Sequence, residues 1–378
     1  MRPDVEAERV PGETTAQFRA FERPDGTVGV RNTVLVLPSV ICSHIVADRI
    51  AETVPNAVSA PHDHGCAQLG SDNEQTRRTF LGIATNPNVA GTLVVGLGCE
   101  ELQSAEIAAD LEARGTPVRE LAIQKEGGSD RTVERGIEQA TDLATDLADR
   151  ETTADLGQLT VGIVSSDVQG STVESADPLV GELVRHVVDA GGRVVVGGVE
   201  RLLPHVEEAL ETTTRKATRA KLAELLDERG RTPTRTAGLR GRAATRSFAE
   251  LTRSWGGLPI QDVLAYGETA SHDAGLAFVD APSAFAEAAT GLAAAGAHLI
   301  VHVTADGIPS GHPIVPVITV TGEGETYAAL EGDIDVDATT TTGSELIDYV
   351  RQVADGQPSC AERHGLTEFA ITRIGPSM

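Results

Sequence analysis

The sequence predicts an α/β protein of two Rossmann-like doubly wound units with mostly parallel sheets, and three observations lead there. Short Val- and Leu-rich runs alternate with longer amphipathic segments, the pattern of successive βαβ units. At 378 residues the chain exceeds what one hydrophobic core usually serves, which points to two or three domains. The alternation pauses once, at a polar linker ending near residue 155, and then begins again.

A polar leader occupies residues 1–20. The turn-rich FERPDGTVGVRN then enters TVLVLP (33–38), an apolar run suited to a buried strand, and SHIVADRIAETV has helical spacing. VSAPH, GTLVVGLG and PVRELAI read as strands, with SDNEQTRRTFLGIATN and ELQSAEIAADLEARG as the helices between them. A long polar helix from Asp130 to Asp149 closes the first unit, residues 21–155. The second unit, 156–378, starts with strand LTVGIVSS, helix ADPLVGELVRHVVDAGG, strand RVVVGG and a helix-rich stretch from Glu200 to Arg229. Residues 230–259 are locally basic and poor in large apolar side chains before Phe248, so they read as a flexible active-site loop or an exposed linker. The pattern resumes with LAFVDAP, helix SAFAEAATGLAAAGA, strand HLIVHVT, the Gly/Pro loop ADGIPSGHPIVP and strand VITVTG, and Thr342 to Gln357 reads as a closing helix.

Charge narrows the partners. The formal net charge is −25, from 56 acidic against 31 basic residues, and only Lys125, Lys216 and Lys221 are lysines. Nucleic acid and anionic membrane surfaces both draw on a basic footprint that this chain lacks. An acidic, Lys-poor surface suits a halophilic protein, kept soluble where salt screens its self-repulsion. No apolar run reaches the length of a spanning helix and the N-terminus has no secretion-signal core, so the expected location is the cytoplasm. Cys42, Cys66, Cys99 and Cys360 form no CxxC pair and are expected as reduced thiols.

In open parallel sheets ligands gather beyond the carboxyl ends of the strands. Three such loops each carry a thiol: SVIC with Cys42, HDHGCAQLG with His62, His64, Cys66 and Gln68, and CEELQ with Cys99, Glu100 and Gln103. A Cys just past a strand is commonly a small core residue, and a loop His commonly caps a helix; both bland readings stand beside the functional one. Imidazole, carboxylate and thiolate donors within a few residues suit a soft or borderline divalent metal, or an acid and base for proton abstraction.

FERPDGTVGVRNTVLVLPSVICS, PHDHGCAQLGSDNEQT and NPNVAGTLVVGLGCEELQ, in that order and at these intervals, resemble the large catalytic region of the altronate/galactarate dehydratase family, which includes the sulfolactate sulfo-lyase large subunit. DAGG before RVVV, LAYGE (264–268), AGAHLIVHVTADGIPSG and SCAERHG extend the likeness from Phe21 to the C-terminus. The resemblance implies a cytoplasmic hydro-lyase that takes a proton α to the carboxylate of a sugar acid or related hydroxy acid and expels the β-hydroxyl, with a divalent metal, Fe(II) above all, as cofactor. It assigns His62, Cys66, Gln68, Glu100 and Gln103 to catalysis, Arg31, Asn32, Cys42, His64, Tyr266 and Glu268 to substrate, and His62, Cys66 and Cys99 to the metal. Arg31 would grip the substrate carboxylate through a bidentate fork, or else tie the entry turn to the sheet.

The likeness thins in the second unit. Where the family carries Cys-Gly-Gly-Ser-Asp this chain has Ser165, Ser166, Asp167, Val168 and Gln169; of a later family loop Pro233 alone remains, and a family Arg is replaced by Asp306. The family's small N-terminal domain has no counterpart in the leader, so a separate small subunit is an expected partner, with homo-oligomers also open. A non-catalytic paralogue, and a lyase with another leaving group such as sulfite, are the competing readings.

Overall fold

The structure, a computed structural model, describes residues 17–66, 68–147, 150–231 and 237–374; most of the leader, and Pro233, lie outside them. Strands β1 (Phe18–Glu22) and β2 (Val28–Gly29) pair antiparallel. β3 (Thr33–Pro38), β4 (Ala57–Ser59), β5 (Val89–Gly96) and β6 (Val118–Ala122) form a parallel sheet in the order β4-β3-β5-β6. β7 (Glu151–Ala154) returns to the free edge of β1. β8 (Thr160–Ser165), β9 (Arg193–Val196), β10 (Ile260–Leu264), β11 (Gly275–Val279), β12 (Leu299–Val303), β13 (Val317–Thr321) and β14 (Val336–Asp337) make a second parallel sheet, ordered β10-β11-β9-β8-β12-β13-β14. The α/β class with parallel sheets is as the alternation predicted.

The two sheets are layered. Leu35 and Leu37 of β3 share one core with Val164 of β8 and Ile300 of β12, through Phe80 and Ile83 of helix Ser71–Ala84 and Leu292 of helix Phe285–Ala294. Those helices lie between the sheets and approach closely at Gly82, where a Cβ would sit 2.8 Å from the Ala294 carbonyl oxygen. On the far face of the first sheet, Val46 and Ile50 of helix His44–Ala51 meet Val133 and Leu143 of helix Ser129–Asp146. On the far face of the second, helices Asp177–Asp189 and Gly343–Ala354 cover Val161, Ile163 and Val301. Strands covered on both faces must be apolar throughout, which is why their runs are continuous rather than alternating.

Three features depart from the expectations. The antiparallel trio β2-β1-β7 begins inside the expected leader, and its Phe18 and Ala154 pack into the second unit's core. β10 was not read as a strand; its Gln261 and Asp262 interrupt the apolar run. Residues 230–259 are largely helical where described, rather than a flexible loop: Lys216–Arg231, Ala237–Ala243 and Phe248–Leu251 are helices, and Leu239, Ala243 and Leu251 pack on Val168 and Val173. Small residues at helical spacing, and the Ser247/Glu250 capping box, hold this segment without large apolar side chains. No described helix is long and apolar enough to cross a membrane.

Candidate active site

In the first sheet the chain runs from β3 outward to β4 on one side and to β5 and β6 on the other, so the switch point lies between β3 and β5. The loops beyond β4, β3 and β5 carry Cys66, Cys42 and Cys99, and all three thiols are exposed, so the small-core reading of these cysteines is set aside. The turn holding Cys42 is pinned by Ser43, whose hydroxyl meets the carbonyls of Val40 at 2.9 Å and Val95 at 2.7 Å. Gly65 lets the His-rich loop reach that turn: its φ is +97° and a Cβ would sit 2.5 Å from the Ser39 carbonyl oxygen.

Glu100 occupies the switch point. Its Oε1 accepts from the Ser39 hydroxyl at 2.9 Å and its Oε2 from the Gly98 and Cys99 amides at 2.6 and 2.9 Å, with only 4% of the residue exposed. Burial pushes this carboxyl up, but the donors outweigh it and hold the group below the usual glutamate range. A carboxylate so enclosed clasps two loops together. Gln103 donates to the Glu100 carbonyl and closes the same turn.

The histidines are similarly committed. His62 Nε2 lies 2.7 Å from the Pro38 carbonyl, which can only accept, so this nitrogen carries the proton; Nδ1 then accepts from the His64 amide at 3.2 Å. Burial, with the ring 4.8 Å from that of Phe80, pushes its pKa down to about 4. His64 repeats the pattern: Nε2 donates to the Ile371 carbonyl at 3.1 Å and Nδ1 accepts from Gln68 Nε2 at 2.6 Å. With both nitrogens engaged, neither ring offers a lone pair. Both rings are thus held by protein partners in this arrangement; Gln68 orients His64 and keeps a buried Oε1 without a partner among the described residues.

The metal set fails the same test. His62 has no free nitrogen for it, and no group of three His, Cys, Asp or Glu placed to hold a metal ion occurs among the described residues. His62, Cys66 and Cys99 thus do not form a metal centre in this arrangement.

Four further residues lie away from the rim. Arg31 and Asn32 precede β3, at its amino end, opposite the thiols. Arg31 grips Glu362 through Nε and Nη2 at 2.8 and 2.9 Å and donates to the Val30 and Val353 carbonyls, while Asn32 bridges Arg23 and the Leu147 carbonyl. They line a separate cleft of about 530 Å³, but as struts tying the entry turn to the C-terminal segment. Tyr266 is fully buried, with its hydroxyl at 2.7 Å from the Glu287 carbonyl, and Glu268 accepts from the Ala265 amide at 2.8 Å; both shape the turn after β10.

Two groups escaped the sequence reading. His44, just after the Cys42 turn, donates through Nδ1 to the Ile41 carbonyl, which leaves Nε2 as the lone pair on a half-buried ring. The second sheet has its own switch point between β8 and β12, since the chain leaves β8 toward β9 and comes back from β11 to β12. There Ser166 Oγ and His302 Nε2 stand 2.8 Å apart on a pocket of about 420 Å³. Asp167 clasps this crevice as Glu100 does the first, accepting from Thr172 Oγ1 at 2.5 Å and from the Ala305 amide at 2.8 Å. The available signal was a polar His302 inside the otherwise apolar LIVHV.

Residues 20–148 match the family described as D-galactarate dehydratase/altronate hydrolase, second domain, and residues 246–377 match D-galactarate/altronate dehydratase, C-terminal. The chain is 28% identical over 397 residues to an altronate dehydratase of Escherichia coli, covering 96% of this chain and 79% of that one. It is 26% identical to the (2R)-sulfolactate sulfo-lyase subunit beta of Chromohalobacter salexigens, covering 94% of this chain and 97% of the relative. A galactarate dehydratase (L-threo-forming) of Escherichia coli is 26% identical, over 88% of this chain and 70% of its own length.

Proposed function

Because the chain belongs to the galactarate dehydratase/altronate hydrolase family, we propose that it is a carbon–oxygen lyase that removes water from a small hydroxy acid. In a 2,3-dihydroxy acid the proton on the hydroxyl-bearing carbon α to the carboxylate goes to a base, the β-carbon–oxygen bond breaks, and the departing hydroxyl takes a proton to leave as water. The enol so formed tautomerises to a 2-oxo-3-deoxy acid. The observation that carries the reading is the convergence of the three family motifs on one open rim at the carboxyl ends of β4, β3 and β5.

On that rim His44 is the proposed base, since its Nε2 is the imidazole lone pair left without a partner among the described residues. The exposed thiols of Cys42, Cys66 and Cys99 are the neighbouring groups for substrate contact and proton return. Fe(II) remains the cofactor that the family resemblance proposes, but since the expected ligands do not fit, no step here runs through it. A small subunit is the proposed partner, supported by a relative that is itself named a subunit. The same relative, matched over 97% of its length, supports a second reading in which sulfite rather than water departs.

The test is an anaerobic assay in molar salt with altronate, galactarate and sulfolactate, with and without Fe(II) and a small-subunit chain, reading 2-oxo acid as its hydrazone. Conversion by the wild type, with kcat reduced at least a hundredfold in His44→Gln and the fold retained, is expected. Full turnover in His44→Gln would remove the base assignment, and inertness toward every acid would favour a non-catalytic paralogue.

A further inference from the structure

We propose that the crevice between β8 and β12 is a second site, which binds a small organic acid by its carboxylate through the Ser166 hydroxyl and the Arg242 guanidinium. This goes beyond the lyase reading, because it is inferred from the second unit alone and concerns binding rather than turnover. Topology supplies the first argument: a parallel sheet gathers ligands where its strand order reverses, and Ser166 and His302 stand at that reversal. Its volume of about 420 Å³ is that of a small-molecule pocket.

Charge supplies the second. The protein carries a net charge of −25, yet among the described residues no acidic side chain lines this pocket, and Arg242 is the one lining residue with a full charge. Arg242 is exposed and forms no ion pair among the described residues. It comes from helix Ala237–Ala243, the basic segment that packs over the second unit's loops.

The third argument is the direction of a proton. His302 is buried and neutral, its pKa pushed down to about 3 by burial, with the Phe285 ring 4.4 Å away. Its Nδ1 is buried without a partner. A bare nitrogen lone pair there costs less than an N–H with no acceptor, so the proton sits on Nε2 and is donated to Ser166 Oγ. The hydroxyl proton of Ser166 is thereby turned away from His302 and free to meet an acceptor in the pocket. A carboxylate placed there takes one hydrogen bond from Ser166 and a charge-assisted pair from Arg242, while Leu239, Phe285 and Ile308 wall the carbon chain.

The experiment is calorimetric titration of the full chain with glycerate, tartrate and galactarate, repeated for Ser166→Ala, Arg242→Gln and a His44→Gln control. Saturable binding of at least one acid is expected, weakened tenfold or more by Ser166→Ala and by Arg242→Gln and unchanged in His44→Gln. Arg242 is exposed, so its variant keeps the fold, which thermal melting verifies. No binding by the folded wild type, or equal affinity in all variants, overturns the site; weakening by His44→Gln alone would place the acid on the first rim instead. Because no turnover is read, failure of the lyase assay leaves this result standing on its own.

Discussion

Replacing Glu100 with glutamine isolates what its carboxylate does. Three donors converge on it, from Ser39, Gly98 and Cys99. Glutamine keeps one oxygen for the two amides and turns its NH₂ toward the Ser39 hydroxyl, so the bonds survive but lose their ionic character. A bond to a charged group contributes about 1.5–3 kcal/mol and a neutral one about 1 kcal/mol, so the change removes roughly 1–3 kcal/mol once the eased burial of charge is set against it. Glu100→Ala, which strands the buried Ser39 hydroxyl and two part-buried amides, costs more. Thermal melting in molar potassium chloride, for wild type and both variants, is the assay. The sign with pH follows from the lowered carboxyl: its contribution is fully present above the unfolded value of 4.5 and is lost as pH falls through the folded value. The gap between wild type and Glu100→Gln therefore closes below about pH 4.5. Identical melting of the two proteins, or a gap indifferent to acid, would refute the clasp and return Glu100 to the role of a proton donor.

The buried neutral histidines set an acid limit: His62 and His298 at about 4, and His302 and His312 at about 3, all lie below the ordinary 6.5 because burial disfavours their charged forms. The unfolded chain takes up those protons first, so stability falls as pH drops from about 6.5 toward 4, and His62→Gln should flatten that slope in acid-titration melts. Maleimide labelling followed by mass spectrometry should modify Cys42, Cys66 and Cys99 in the folded protein and Cys360 only after unfolding, since Cys360 is buried and its thiol pushed up to about 12. Lowering salt from molar to about 0.1 M, where the Debye length is about 10 Å, should lower the melting temperature through self-repulsion of the −25 chain; an unchanged melt would remove the halophile reading.

The central strands of both sheets were legible because burial on two faces demands unbroken Val, Ile and Leu, as in LIVHV and TVGIV, whereas the two-residue β14 was too short to leave such a run. β10 was not, since Gln261 and Asp262 are half-buried near the sheet edge and the run carries no such signature. The thiol rim was legible because loop position follows directly from strand order. What each rim side chain does there was not, because a carbonyl such as that of Pro38, which fixes the tautomer of His62, leaves no trace in side-chain pattern. Arg31 shows the same limit from the other side: its partner Glu362 lies 331 positions away along the chain. The second switch point needed the full strand order, which places β12 beside β8 although more than a hundred residues separate them.

The most direct measurement of the lyase claim is proton NMR in D₂O of a converting hydroxy acid, under anaerobic conditions in molar salt with Fe(II) and the small-subunit chain. The elimination forms an enol that takes its new hydrogen from solvent, so a 2-oxo-3-deoxy acid carrying one deuterium at C3 is predicted, its appearance matching the loss of substrate. Release of sulfite from sulfolactate with the carbon skeleton intact would move the activity to the second reading. Acids that remain chemically unchanged throughout, in a protein shown by melting to be folded, would contradict the claim that this chain is a lyase.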